Sequence, residues 1–324
     1  MFDERELLKM INRAFEAEPF NGQPSELYEP LNYILALGGK RIRPVMLLMV
    51  TDMYCGNLRR ALPAALGIEL FHNFSLIHDD IMDDAPIRRG KPTVHEKWNP
   101  NTAILSGDAM LVKAYEQFLR LPEPILKPAL AIFNKTALEV CEGQQLDMNF
   151  ESRTEVSIEE YLEMIRLKTA VLIGAALYLG GLTANAPESD LRNLYEFGIQ
   201  NGMAFQLRDD LLDTYGDEKV FGKKQYGDIS ANKKSFLYLK AYELSNHESR
   251  LKLEELFTST DIGVNEKIEE TLKIFNQAEV KKHTEAIIRQ HHEAAMQYFN
   301  MLTVEPARKK VLLNYSELLA GRII

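Results

Sequence analysis

The sequence predicts an all-α fold, and three observations carry that expectation. Apolar residues recur at helical spacing nearly from end to end, no stretch sustains the alternation of a half-buried strand, and glycine and proline gather where helices should stop. In chain order the periodic stretches are DERELLKMINRAF, LRRALPAALGIELFHNFSLIHDDIMD, TAILSGDAMLVKAYEQFLR, SIEEYLEMIRLKTAVLIGAALYL and LRNLYEFGIQNGMAFQLRDDLLD. Punctuation falls at Gly38-Gly39, Gly56-Asn57, Pro86 to Pro100, Leu121 to Pro124, Gly180-Gly181 and Gly216 to Asn232. None of these is long or polar enough to be a linker, so residues 1–324 read as one all-α domain of roughly ten or more helices.

The 324 residues are 46% hydrophobic, enough to bury a large core. Lys+Arg 38 against Asp+Glu 47 gives a net charge of −9, which disfavours nonspecific binding to nucleic acid or to an anionic membrane. Any anion site must therefore be local. The two cysteines, Cys55 and Cys141, lack metal-ligand spacing and read as small buried apolar residues in a reducing compartment. The opening residues are amphipathic and charged, and no apolar run reaches spanning length, so a soluble cytoplasmic protein without stable membrane insertion is expected.

The most informative feature is an acidic word written twice, DDIMD at Asp79 to Asp83 and DDLLD at Asp209 to Asp213. Each ends an apolar helical run, so its first and last Asp lie one turn apart on one face. Ionised carboxylates crowded beside Phe, Leu and Ile repel one another and resist desolvation, which points to divalent cations held between them. Oxygen donors without cysteine or clustered histidine suit Mg²⁺, which takes few protein ligands and fills its shell with phosphate oxygens. One such word alone is more often a solvated helix face, but two in matching apolar settings favour a metal–diphosphate clamp. Cations recur near both words: GGKRIRP from Gly38 to Pro44, IRRGKPTVH from Ile87 to His95, and Lys168, Lys223 and Lys233. Singly, each of these is an ordinary capping or surface charge.

The order GGKRIRP, FHNFSLIHDDIMD, RRGKPTVH, GQQLD, KT, FQLRDDLLD, GK and GD resembles the trans-prenyltransferases, the isoprenyl diphosphate synthases, from Gly38 to Ser235. The resemblance implies a single all-α bundle around a central cavity, of the isoprenoid synthase type, usually a homodimer. It implies that Asp79, Asp83 and Asp209 bind Mg²⁺ clamping an allylic diphosphate, with Asp80, Asp210 and Asp213 in support and Asp213 counted among the metal residues. Arg88, Lys168, Lys233 and Lys223 would hold that diphosphate. Lys40, Arg43, His72 and Arg89 would bind isopentenyl diphosphate, and Thr169 and Gln206 would turn oxygens toward the developing carbocation. Without the resemblance, His72 would read as a satisfied core histidine.

The implied activity is head-to-tail condensation of isopentenyl diphosphate with dimethylallyl, geranyl or farnesyl diphosphate. A class I terpene cyclase shares the fold and one acidic motif, but GGKRIRP suggests a second diphosphate site that a cyclase lacks. A non-catalytic subunit of a heteromeric synthase would be expected to lose part of one acidic word, and neither is damaged. Phe74, five residues before Asp79, matches the family's pocket floor, with Ser75 where animal farnesyl synthases carry a second aromatic, and Phe71 nearer the Asp79 face. At ~1.5 Å rise per residue the floor lies about 7.5 Å along the axis from Asp79, which suggests a twenty-carbon geranylgeranyl product with fifteen-carbon farnesyl close behind.

Overall fold

The structure, a computed structural model, describes residues 1–216, 225–259 and 261–321, the residues from 318 onward by backbone alone. Helices dominate as the periodicity requires, and the fold is all-α. Residue contacts group the chain into two compact units, one made of 1–137, 172–195 and 301–315 and the other of 138–171, 196–300 and 316–324.

In the first unit α1 (Glu4–Ala17) opens with a capping box in which Asp3 and Glu6 satisfy each other's backbone N–H. It is followed by α2 (Ser25–Ala36), α3 (Ile42–Met53) and α4 (Leu58–Met82), the last capped by Asn57. A two-residue ribbon, β1 (Ile87–Arg88) and β2 (Lys91–Pro92), precedes the single turn α5 (Val94–Lys97), and α6 (Pro100–Phe118) begins with Asn99 as cap and proline at its first position. A long α7 (Glu123–Ser152) follows. Phe71, Phe118 and Phe133 are buried together, with ring centroids 5.4 Å apart for Phe71 and Phe133 and 4.5 Å for Phe118 and Phe133. Each contributes about 1.5–3 kcal/mol by leaving water. Gly67 is required where α4 meets α6, because a Cβ there would lie 2.8 Å from the Phe118 ring.

The chain continues through α8 (Ile158–Ile165), capped by a Ser157–Glu160 box, a π turn at Arg166–Ala170, and α9 (Val171–Thr183). Here the structure departs from the expected stop at Gly180-Gly181, since α9 runs through both glycines. A Cβ at Gly180 would sit 2.4 Å from the Leu47 carbonyl oxygen, so this glycine serves close approach to α3, and Thr51 Oγ1 closes the contact on the Gly180 carbonyl at 3.2 Å. The stretch Ile158–Thr183 is long and apolar enough to cross a membrane by composition, yet 72% of its most apolar window is buried in protein. An all-round hydrophobic helix in a large core has this character.

The second unit takes most of α10 (Glu188–Tyr215), then the single turn α11 (Gly227–Ser230), α12 (Phe236–Leu244), α13 (His247–Thr258), α14 (Val264–Gln277) and α15 (Val280–Met301). The chain ends in α16 (Pro306–Gly321). Phe197 against Phe299 at 5.1 Å and Tyr238 against Phe257 at 4.4 Å mark the core of this unit. The cysteines are a correction: Cys55 and Cys141 are both exposed. Cys55 takes a left-handed φ of 58° as the chain leaves α3, and Cys141 lies on the outer side of α7.

Candidate active site

In the first unit, GGKRIRP forms a left-handed turn between α2 and α3, with φ of 72° at Gly38, 129° at Gly39 and 42° at Arg41. Glycine is needed at 39 for that backbone, and the Arg89 guanidinium, which donates to the Gly38 carbonyl, packs over it, 2.8 Å from where a Cβ would lie. The three cations then part company. Lys40 is exposed. Arg41 points inward, donating to Asn12 Oδ1 at 2.9 Å, Glu69 Oε1 at 2.8 Å and the Leu35 carbonyl at 2.8 Å, over the Phe15 ring. Arg43 donates from Nη1 to His72 Nε2 at 3.2 Å.

Arginine cannot accept, so His72 must offer an unprotonated Nε2 and carry its hydrogen on Nδ1. Burial, with Arg43, Arg89, Arg88 and Arg41 around it, holds His72 well below the ordinary histidine range. Burial likewise brings Arg43 down to about 10, against the opposing charge of Glu69. Arg43, His72 and Arg89 thus belong to one cationic corner of the first unit, together with Arg41 and Arg88.

The first acidic word ends α4. Asp83 donates its N–H to the Asp79 carbonyl at 2.9 Å, so the one-turn spacing of the two outer carboxylates is kept to the helix end. Asp80 points the other way and is buried, gripped by Arg88 through two parallel bonds, Nε to Oδ2 at 2.8 Å and Nη2 to Oδ1 at 2.7 Å. The ribbon sets Arg88 there: Arg89 and Gly90 both take positive φ, 52° and 74°, as a tight two-residue hairpin requires. Burial raises the Asp80 carboxyl while Arg88 opposes it. Beside the word, Asp84, His95 and Glu96 bring their ligand atoms within 4.8 Å of one another.

Upstream on α4, Phe71 belongs to the aromatic core, 5.6 Å from Phe74. Phe74 is partly exposed and stacks edge-on to His78 at 4.7 Å. Ser75 bonds back to the His72 carbonyl at 2.8 Å.

In the second unit, GQQLD lies on α7 and the KT pair on the π turn. Gly143 allows the approach, since its Cβ would fall 2.3 Å from the Lys168 backbone nitrogen. Lys168 Nζ reaches Asp147 Oδ2 at 2.5 Å. The π turn places Thr169 beside Lys168, and Thr169 donates to Gln206 Oε1 at 3.1 Å.

The second word repeats the logic of the first with different partners. Asp210 is buried and accepts from Tyr161 OH and from Gln206 Nε2, the latter at 3.0 Å. Burial brings its carboxyl up to about 6, with Asp209 adding to the rise and the two donors opposing it. Asp213 accepts the backbone N–H groups of Gly227 at 3.1 Å and Asp228 at 3.0 Å, opening α11. Asp228 is raised well above the carboxylate range by burial and by Asp210 and Asp213, with Lys233 opposing. Asp147, Tyr161, Lys168, Thr169, Gln206, Asp210, Asp228 and Lys233 line one cleft of this unit. Lys223 lies outside the described residues.

The sequence reading left four of these groups without a role: the Arg41–Glu69 pair, Tyr161, Asp147 and Asp228. The last two stood inside the quoted words GQQLD and GD. Glu69 and Tyr161 carry no local signal, because their partners are distant in the chain.

In each word the second Asp is buried and engaged by donors, Asp80 by Arg88 and Asp210 by Tyr161 and Gln206. An all-carboxylate donor set fits an oxygen-seeking divalent cation. The model of the polyprenyl synthetase family matches residues 24–275. A geranylgeranyl diphosphate synthase of Methanosarcina mazei is 44% identical over 224 residues, 68% of this chain and 69% of that protein. A crystal structure of a geranylgeranyl pyrophosphate synthase superposes with a TM-score of 0.94 at 43% identity, covering 99% of both chains. Another, of a geranylgeranyl pyrophosphate synthase from Corynebacterium glutamicum complexed with isoprenyl diphosphate and magnesium, has a TM-score of 0.85 at 26% identity over 98% of this chain and 97% of that one. The doubled acidic word, its attendant cations and the whole helical frame therefore have one common explanation: the chain belongs to the polyprenyl synthetase family.

Proposed function

We propose that this protein is a trans-prenyltransferase that condenses isopentenyl diphosphate with an allylic diphosphate, head to tail, into a short-chain all-trans prenyl diphosphate. The observation that carries it is the doubled word with a division of labour inside each copy. The middle Asp is buried and tied to protein donors, Asp80 to Arg88 and Asp210 to Tyr161 and Gln206, while the outer carboxylates flank it one turn apart. Geranylgeranyl diphosphate is the product we assign, in keeping with the names of the Methanosarcina relative and the solved structures.

Mg²⁺ is the metal we assign to Asp79, Asp83 and Asp209, with Asp213 nearby; when bound it neutralises charge growing on the leaving diphosphate. Arg88, Lys168 and Lys233 add positive charge at the same leaving group. The allylic C–O bond breaks with its electron pair departing on diphosphate, and the isopentenyl double bond, positioned through Lys40, Arg43, His72 and Arg89, attacks the resulting cation. A new C–C bond forms, and the tertiary cation loses a proton to the released diphosphate. Thr169 and Gln206 present oxygen to the positive carbon. The protein acts in the cytoplasm as a homodimer; Ile104, Leu105 and Val112, exposed on α6, supply an apolar stripe for the second copy.

The test is to incubate purified protein with isopentenyl diphosphate, each allylic diphosphate and Mg²⁺, and to size the products. A twenty-carbon diphosphate is expected, lost in Asp79→Ala, in Asp209→Ala and with excess chelator. A cyclised hydrocarbon, or no product without a second polypeptide, would overturn the reading.

A further inference from the structure

The segment carrying Lys233 closes on itself through a single helical turn. α11 is one turn, bracketed by Tyr226 at φ 66° and Asn232 at φ 58°, both left-handed and neither glycine. Asparagine adopts this conformation readily at a helix end, whereas a tyrosine persists in it only where its surroundings impose it. The Lys233 N–H bonds the Asp228 carbonyl at 2.9 Å, closing the turn. Besides this bond and the Asp213 carboxylate that accepts the Gly227 and Asp228 N–H groups, side chains from elsewhere in the chain grip the segment on both sides of Lys233.

On one side, Lys234 donates from Nζ to the carbonyls of Phe150, at 3.0 Å, and Arg153, at the C-terminal end of α7. Cationic donors suit the unpaired carbonyls of a helix end. On the other side, Lys267 of α14 donates to Asn232 Oδ1. Lys267 is only 6% exposed, lies 4.7 Å over the Phe257 ring, and forms no ion pair among the described residues. Burying an ammonium without a carboxylate is costly. A lysine placed merely for packing would be better replaced by Met or Leu. Besides the Phe257 ring, the hydrogen-bond acceptor that Lys267 meets is the side-chain oxygen of the residue preceding Lys233.

We infer that Lys267 and Lys234 are positioning residues that splint Lys233 from its two neighbours and so set where its ammonium meets the allylic diphosphate. This rests on Lys233 being a ligand of that diphosphate, as proposed above. The α14 lysine acts through Asn232 and touches no substrate. Misplacement of a charge-stabilising group by about 1 Å can cost up to roughly a hundredfold in rate, and a splint released on one side only costs less.

The experiment uses the full-length protein and five variants, Lys267→Met, Lys267→Arg, Asn232→Ala, the Lys267→Met/Asn232→Ala pair and Lys233→Ala, with the two diphosphates varied separately. Lys267→Met and Asn232→Ala should each lower kcat/KM for the allylic diphosphate by roughly tenfold while KM for isopentenyl diphosphate stays within about twofold. The pair should be no worse than the worse single variant, because both break one link. Lys267→Arg, which keeps a donor, should recover part of the loss. Asn232 is exposed at the cleft and Lys267 is buried, so circular dichroism and Tm on each variant separate a kinetic loss from a folding loss. Additive effects, equal effects on both substrates, or a lowered Tm with unchanged kinetics would overturn the splint. If Lys233→Ala itself leaves the allylic kinetics unchanged, the assignment of Lys233 fails instead, a separate outcome.

Discussion

Replacing Glu69 by leucine strands a guanidinium. Arg41 and Glu69 meet at 2.8 Å with side chains 3% and 2% exposed, and Arg41 is further tied to Asn12 Oδ1 and the Leu35 carbonyl. Removing one member of such a buried pair typically costs about 3–5 kcal/mol, since the other charge remains without its counterion. Removing both leaves no uncompensated charge. Arg41→Met and Glu69→Leu should therefore each destabilise by about 3–5 kcal/mol, and the double variant by far less than their sum. Unfolding entropy of about 2.1 cal/mol/K per residue over 324 residues converts this to roughly 1.5 °C per kcal/mol, hence a fall in Tm of roughly 4–8 °C for each single variant. Scanning calorimetry on the four proteins of the cycle measures it. A second readout is kinetic: Arg41 takes φ 42° between Lys40 and Arg43, so losing its anchors should raise KM for isopentenyl diphosphate more than for the allylic partner. Single variants within about 1 °C of wild type, or a double variant equal to the sum of the singles, would refute the reasoning.

His72 gives a pH prediction. Its folded-state proton affinity is depressed by burial and by four arginines, so the unfolded chain takes up a proton near pH 6.5 while the folded chain does so only well below it. The associated stability is present above pH 6.5 and is lost as pH falls, and urea melts at pH 7.5 and 5.5 should show a smaller drop for His72→Gln than for wild type. Asp213→Ala removes an acceptor for two backbone N–H groups and should cost about 1–2 kcal/mol in urea, with Asp213→Asn milder. Phe74→Ala should lengthen the product and Ser75→Phe shorten it in a sizing assay; an unchanged distribution in both would place the steric stop elsewhere.

Read residue by residue, the sequence determined the helical class, the two acidic words and the cations that accompany them, because periodicity, caps and short motifs are local. Asp79 and Asp83 share a face simply because four residues make about one helical turn. It could not say which Asp in each word is buried. Asp80 and Asp210 occupy equivalent places in DDIMD and DDLLD, yet one is held by an arginine from a hairpin eight residues on and the other by a tyrosine from another helix. Nor could it separate the three cations of GGKRIRP, of which Arg41 turns inward to Glu69 while Arg43 meets His72. Gly180 reads as a helix stop in one dimension and proves to be a contact point for α3 in three. Local chemistry chooses the element and the candidate ligand. Which face of a helix is desolvated, and which distant donor then compensates the charge left there, is decided only when the helices pack.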